Sequence, residues 1–316
     1  MGDAHVKILA EGEEDAIEGF LQDIREKKPP LAKIFDIDVK PSREGGFQGF
    51  TILKSDEGRE TEGSIIPPDI GICDECLREL RDPRNRRYNY FFITCTNCGP
   101  RYTIIEGLPY DRPNTTMKIF PLCPECEAEY RDPRDRRFHA QTIACHRCGP
   151  KASLVTRDGE PYPAKDPIRE AGRLLEEGYI VAVKGNGGFH IATATTLSEP
   201  IARLRGVKHR SQKPFAIMAR SLEAIRSFAE VGAVEEALLT SPMRPIVLLR
   251  KREDYYLSDL ISPGLHNIGV MLPYTGLHLM LFDNVEEPAF VMTSANPPSQ
   301  PIIIDTEEAL ERLRDT

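Results

Sequence analysis

Apolar residues change their rhythm three times along this chain of 316 residues. In HVKILAEG (5–12) they alternate with polar ones, which predicts a strand. Residues 13–27 place Ile17, Phe20, Leu21 and Ile24 at helical spacing, and Pro29-Pro30 should stop that helix. AKIFDIDVK (32–40) and FQGFTILKS (47–55) predict two further strands. From 67 to 150 the periodicity fades and little regular structure is expected. From about 165 onward strands alternate with helices. DPIREAGRLLEEG is an amphipathic helix closing at Gly178. YIVAVKG is a buried strand that runs into the glycine-rich turn GNGGFH. LSEPIARLRGVKHR predicts a helix with Ser198 as its N-cap. FAIMA, PIVLLRK, IGVMLP and AFVMTSA predict strands, with helices at 221–229, 233–239 and 276–282. This alternation predicts an α/β domain with a mixed or parallel sheet. Three regions result, with expected bounds 1–60, 61–155 and 160–316.

The featureless middle region holds all eight cysteines. They form four C-x-x-C pairs: Cys73/Cys76, Cys95/Cys98, Cys123/Cys126 and Cys145/Cys148. Each recurs at one offset (123 − 73 = 50; 148 − 98 = 50), and the flanks CDECLRELRDPRNRRYNY and CPECEAEYRDPRDRRFHA recur with them. This is a duplicated module. A C-x-x-C turn lets two thiolates grip one ion, and two such turns complete a closed tetrahedral site of four sulfurs. Two structural zinc ions are therefore expected, supplying folding energy that so short a segment lacks. Spacing alone leaves open whether the pairs close within or between repeats; closure within each is favoured. A disulfide scaffold is the competing reading. His139 and His146 lie beside complete ligand sets and are expected outside them. The runs RDPRNRR and RDPRDRR either touch phosphate or form solvated turns.

Composition narrows the class. A net charge of -8 argues against generic binding to nucleic acid or anionic membrane. The acidic start MGDAHVKILAEGEEDAIEG lacks a signal-peptide apolar core, and no apolar run approaches the ~20 residues of a membrane span. A cytoplasmic protein is expected, where thiols bind metal more often than they pair.

The α/β region carries three candidate features. KHRSQKP sets Lys208, Arg210 and Lys213 after a predicted helix, and a K-x-R array can hold a polyphosphate. TSAN puts Ser294, Ala295 and Asn296 in a turn after a strand, where phosphate or ribose could sit. VAVKGNGGFHIA would let backbone approach a ligand at Gly185, Gly187 and Gly188. It is not G-x-G-x-x-G, and there is no Walker A loop.

Together VAVKGNGGFHIA, KHRSQKP, RPIVLLRK, IGVMLPYTGLH and TSAN resemble the YrdC family over about 165–316. Preceded by two C-x2-C-x18-C-x2-C modules, they resemble the HypF family, the carbamoyltransferases of [NiFe]-hydrogenase maturation. The strand–helix–strand–strand order of 4–54 fits part of a ferredoxin-like sandwich and resembles that family's acylphosphatase-like domain. The implied fold is an α+β/α/β multidomain chain. It comprises a partial ferredoxin-like acylphosphatase unit, two tandem four-cysteine zinc modules and a YrdC-like α/β domain with a twisted mixed sheet.

The resemblance implies a chemistry. Carbamoyl phosphate gives carbamate; carbamate and ATP give carbamoyl-adenylate in the YrdC-like domain, with Mg2+ on the phosphates. The carbamoyl group then passes to a cysteine of a HypE-type partner. It places Lys208 and Arg210 in catalysis, and Lys208, Arg210, Lys213, Ser294, Ala295 and Asn296 around ATP. It also implies that the acylphosphatase loop with its catalytic Arg, the last YrdC-like strands and a Kae1-like domain lie outside this chain. Two other readings compete. One is a threonylcarbamoyl-AMP synthase of tRNA modification, which does not usually carry double zinc modules. The other is a zinc-ribbon module for double-stranded RNA, which the acidic charge disfavours.

Overall fold

The computed structural model describes residues 6–28, 32, 34–43, 45–47, 49–51, 66–297 and 300–314. They fall into two units, Met1–Pro67 with Ile105–Lys118, and Pro68–Ile104 with Ile119–Thr316.

In the first unit the predicted helix forms as α1 (Glu14–Glu26), with acidic residues in its first turn and Arg25 in its last, as the helix dipole favours. The Glu11 carboxylate accepts the amides of Gly45, Gly46 and Phe47 at 3.2, 2.9 and 3.3 Å. The expected strands do not form among the described residues of 6–12, 34–40 and 47–51. Alternation marks a two-sided segment, but a ladder also needs a partner backbone and a face to cover. Val6, Phe35 and Val39 are exposed instead. Pro29, Pro30 and all of 52–55 lie outside the described residues.

The second unit begins with two short helices that the sequence reading passed over, α2 (Asp74–Arg81) and α3 (Pro124–Arg131). Each starts directly after the first cysteine of its repeat, and Leu77 N–H and Glu127 N–H donate back to the carbonyls of Cys73 and Cys123.

The rest is the predicted α/β layer. Helix α4 (Pro167–Glu176) is capped by Asp166, whose carboxylate accepts from Ile168 and Arg169 N–H, and Gly178 follows it at φ +87°. Strands β1 (Val181–Gly185) and β2 (Gly188–Ala194) form a hairpin. Then come α5 (Ser198–Val207), β3 (Ala216–Ala219), α6 (Leu222–Phe228), α7 (Ala233–Thr240), β4 (Val247–Arg250), β5 (Asn267–Met271), α8 (Gly276–Leu281), β6 (Ala289–Ser294) and α9 (Thr306–Arg312). Ser198 is not the N-cap of α5: Leu197 holds that position, and the Ser198 hydroxyl instead bonds Ser258 Oγ at 2.8 Å.

The sheet is mixed, in the order β1-β2-β6-β3-β5-β4, with only β3 and β5 parallel. One face buries Ile191, Ile217, Val270 and Val291 against Ile201 and Leu204 of α5 and Ile225 and Phe228 of α6. On the other face Phe290 stacks on Phe282 at 4.7 Å, next to α8. Helices α4 and α8 approach so closely that a Cβ on Gly172 would meet the Leu281 carbonyl at 2.1 Å. No helix among the described residues is long and apolar enough to cross a membrane.

Candidate metal centres and anion site

Cys73 and Cys123 sit in extended backbone at the N-caps of α2 and α3, and Cys76 and Cys126 lie in the first turns. The second pair of each repeat forms a tight turn: Cys98 N–H donates to the Cys95 carbonyl, and Cys148 N–H to the Cys145 carbonyl. Asn97 N–H donates to the Cys95 sulfur at 3.3 Å, favouring thiolate there. All eight cysteines are free of disulfides. They gather as Cys73, Cys76, Cys95 and Cys98, and as Cys123, Cys126, Cys145 and Cys148, so closure is within each repeat. Neighbouring sulfurs stand 3.5–3.8 Å apart. A tetrahedron with Zn–S of about 2.3 Å has edges of about 3.8 Å. The residues thus fit two four-cysteine zinc centres closed to water.

His139 and His146 stand outside both sets. His146 Nε2 bonds the Tyr88 carbonyl at 2.8 Å, and His139 stacks on Tyr130. The two arginine runs are neither free phosphate hooks nor plain solvated turns. Arg84 and Arg134 pair with Asp82 and Asp132 of their own turns. The last two arginines of each run reach into the other repeat. Arg86 and Arg87 bond Glu129, and Arg136 and Arg137 bond Glu79.

In the α/β layer, Lys208 closes α5 and Ser294 ends β6. Buried Lys208 donates from Nζ to the carbonyls of Ser294 (2.6 Å) and Asn296 (3.2 Å). Burial pushes its ammonium down to about 8, with Arg210 and Lys213 adding like charge. Arg210 Nη1 donates to Thr293 Oγ1 at 3.3 Å. Ser294 Oγ donates to Asn296 Oδ1 at 2.7 Å, and Asn296 Nδ2 to the Gln300 carbonyl at 2.8 Å. Ala295 is fully buried, with its N–H given to Phe189 O and its carbonyl taken by Ile303 N–H. Lys213 is exposed in the loop after α5. Lys208, Arg210, Ser294 and Asn296 thus converge on one strand end.

The glycine-rich turn serves the chain itself. Gly188 takes φ +136°, and a Cβ there would meet the Ile303 carbonyl at 2.9 Å. Phe189 N–H donates to that same carbonyl at 2.8 Å.

Sequence reading missed Arg205. It is buried, and its guanidinium donates to the carbonyls of Leu260, Arg210, Lys213 and Ile261 while lying over Phe215 at 4.8 Å. It therefore holds the 208–213 loop in shape. The available signal was its place four residues after Ile201 and next to Leu204, on the apolar side of a predicted helix that runs into KHRSQKP. None of Arg205, Lys208, Arg210 and Lys213 has a carboxylate ion-pair partner among the described residues.

A family profile described as acylphosphatase matches residues 1–52. The profile described as HypF finger matches 72–105 and 122–155. The YrdC-type profile described as telomere recombination matches 173–316. The probable carbamoyltransferase HypF of Methanocaldococcus jannaschii is 49% identical over 314 residues, covering 98% of this chain. The chain belongs to the HypF family.

It spans 40% of the length of that HypF relative. The crystal structure of T. kodakarensis HypF superposes with a TM-score of 0.90 at 53% identity, over 99% of this chain and 40% of that one. A full-length HypF in the phosphate- and nucleotide-bound form gives 0.88 at 45% identity, over 96% of this chain and 39% of that one. The expected multidomain architecture of acylphosphatase-like region, two four-cysteine modules and YrdC-like mixed sheet is the HypF one.

Proposed function

We propose that this chain binds ATP at Lys208, Arg210, Ser294 and Asn296 and activates carbamate as carbamoyl-adenylate, within a HypF-type carbamoyltransferase. The observation that carries the reading is the uncompensated positive cluster. In a chain of net charge -8, Arg205, Lys208, Arg210 and Lys213 stand together; the Arg205 and Lys208 side chains donate to carbonyls and Arg210 to a hydroxyl, and none pairs with a carboxylate among the described residues. Such a cluster fits a polyanion. A relative 45% identical to this chain has been solved in a phosphate- and nucleotide-bound form, which supports nucleotide binding in the family.

In this reading a carbamate oxygen attacks the α-phosphorus of ATP, the bond to the β-phosphate oxygen breaks, and pyrophosphate leaves. Lys208 and Arg210 offset the negative charge that builds on the phosphates, and Mg2+ brought in with ATP would add to that charge stabilisation. Lys213 adds charge at the rim, and Ala295 fixes the turn that presents Ser294 and Asn296. A cysteine thiolate of a HypE-type partner then attacks the carbamoyl carbon, the bond to the phosphate oxygen breaks, and AMP leaves. The two four-cysteine centres hold zinc and do no chemistry.

The test is ATP–pyrophosphate exchange by the full chain with ammonium carbamate, against threonine plus bicarbonate. Exchange that depends on carbamate supports the reading. Exchange with threonine alone overturns it in favour of a threonylcarbamoyl-AMP synthase.

A further inference from the structure

Glu79 and Glu129 lie on α2 and α3, each three residues after the cysteine in its helix's first turn. Each is therefore on the same helix face as a thiolate. Each also receives two arginines from the other repeat. Arg86 Nε donates to Glu129 at 2.9 Å while its Nη2 donates to Cys126 Sγ at 3.0 Å. Fifty residues on, Arg136 Nε donates to Glu79 at 2.9 Å while its Nη2 donates to Cys76 Sγ at 3.1 Å. Beneath them Arg87 and Arg137, at 2% and 4% exposure, donate to the carbonyls of Ala144 and Thr94 at 2.8 and 3.0 Å. Those carbonyls directly precede Cys145 and Cys95. Each arginine pair thus grips both halves of the opposite centre, a helix thiolate and the second cysteine turn.

We propose that these reciprocal arginines couple the two four-cysteine centres, so that the metal ions load and leave as a pair. The inference rests on the zinc reading above. Four thiolates around Zn2+ leave a net charge of -2, which guanidinium donors from outside the ligand set offset. The donors come from a segment whose own shape depends on its own centre. Asn89 N–H bonds the Leu80 carbonyl and His139 N–H bonds the Tyr130 carbonyl, anchoring each arginine run to the helix that starts at its own cysteine pair. An empty first centre frees α2 and the 82–90 segment, and Arg86 and Arg87 are no longer held against Cys126. The converse holds for the second centre. Coupling of this kind is reciprocal by thermodynamic necessity.

The experiment is native mass spectrometry of the full chain as zinc is withdrawn stepwise with EDTA. Two independent, equal sites give one-zinc chains as half the population at half loading, and unequal independent sites give more. Coupling predicts zero-zinc and two-zinc chains, with the second ion held roughly tenfold or more tighter than the first, the scale of outer-shell effects on metal affinity. In Arg86→Gln/Arg136→Gln the one-zinc species should reappear. One-zinc chains at half or more of the parent population at half loading overturn the coupling, as does pairwise loading retained in the double variant. A parent chain that carries no zinc at any stage overturns the metal reading itself. The parent distribution needs no variant to fold.

Discussion

The ammonium of Lys208 lies 2.6 Å from the main-chain carbonyl of Ser294, joining the end of α5 to the end of β6 across 86 residues of sequence. A second bond reaches Asn296. Lysine has three N–H donors, so one remains for a ligand. Lys208 therefore shapes the turn and presents charge at once. Lys208→Met and Arg210→Ala should each weaken binding of an ATP analogue by about tenfold or more, the scale of a charge-assisted hydrogen bond. Titration calorimetry checks this, and unchanged affinity in both variants removes the site.

The same lysine gives a proton signature. Its ammonium is pushed down to about 8 by burial and by Arg210 and Lys213. Between that value and the free-lysine range near 10.4, the unfolded chain holds a proton that the folded chain has lost, so Lys208 lets stability rise with pH there. A bound polyphosphate reverses the penalty and draws the proton back. Nucleotide binding at pH 8 to 9 should take up a fraction of a proton, and at pH 6.5 almost none from this group. Calorimetry in buffers of different ionisation enthalpy reads the uptake, which should vanish in Lys208→Met.

Arg205 acts through others. Arg205→Met leaves the carbonyls of Leu260, Ile261, Arg210 and Lys213 short of a donor. The loss should be about 2–4 kcal/mol of stability, since buried polar groups left unpaired cost about 1–3 kcal/mol each and neighbouring effects overlap. Urea unfolding measures it. A change within experimental error would mean that the loop holds its shape without the guanidinium.

His278 is fully buried in α8, with Nδ1 bonded to Thr275 Oγ1 at 3.0 Å and its ring against Tyr274. Burial, with His190 nearby, pushes its imidazole down to about 3. As pH falls below about 6.5, the unfolded chain binds a proton that the folded chain refuses, so stability drops toward pH 3. One such group contributes at most about 1.4 kcal/mol per pH unit. His278→Gln should flatten the slope between pH 6.5 and 5 relative to the parent. Equal slopes would mean that His278 does not carry the effect.

Removing metal should act locally first. Structural zinc typically contributes about 10 kcal/mol or more to the folding of so small a module. After chelation, amide exchange should lose protection over 72–100 and 122–150 while β2, β6 and β3 keep theirs. Protection unchanged in both cysteine regions would mean that the modules fold without metal.

How much of this was legible depends on how local the cause is. The cysteine sets could be read directly, because ligand spacing is written within a few residues and repeated at an offset of 50. The arginine runs could not, because Arg86 finds its partners about 40 residues away in the other repeat. Within its own repeat it looks like solvated charge. Strand β2 was hidden inside the apparent loop GNGGFH, although the two-residue link Asn186-Gly187 between apolar runs is a hairpin signal. Among the described residues of 5–55 the expected strands are absent for the opposite reason: alternation was present, but those residues offer no partner to pair with. The Lys208 site was suggested by K-x-R and TSAN, but its support by Arg205 depends on carbonyls that only the folded chain brings together.

The central claim is that the Lys208 and Arg210 cluster receives the phosphates of ATP. A crystal structure of the full chain with a non-hydrolysable ATP analogue tests it most directly. The account predicts the phosphates within hydrogen-bond reach of Lys208 Nζ and the Arg210 guanidinium, beside the Ser294–Asn296 turn. Nucleotide seated elsewhere, with those two side chains still bonded only to protein, would contradict it.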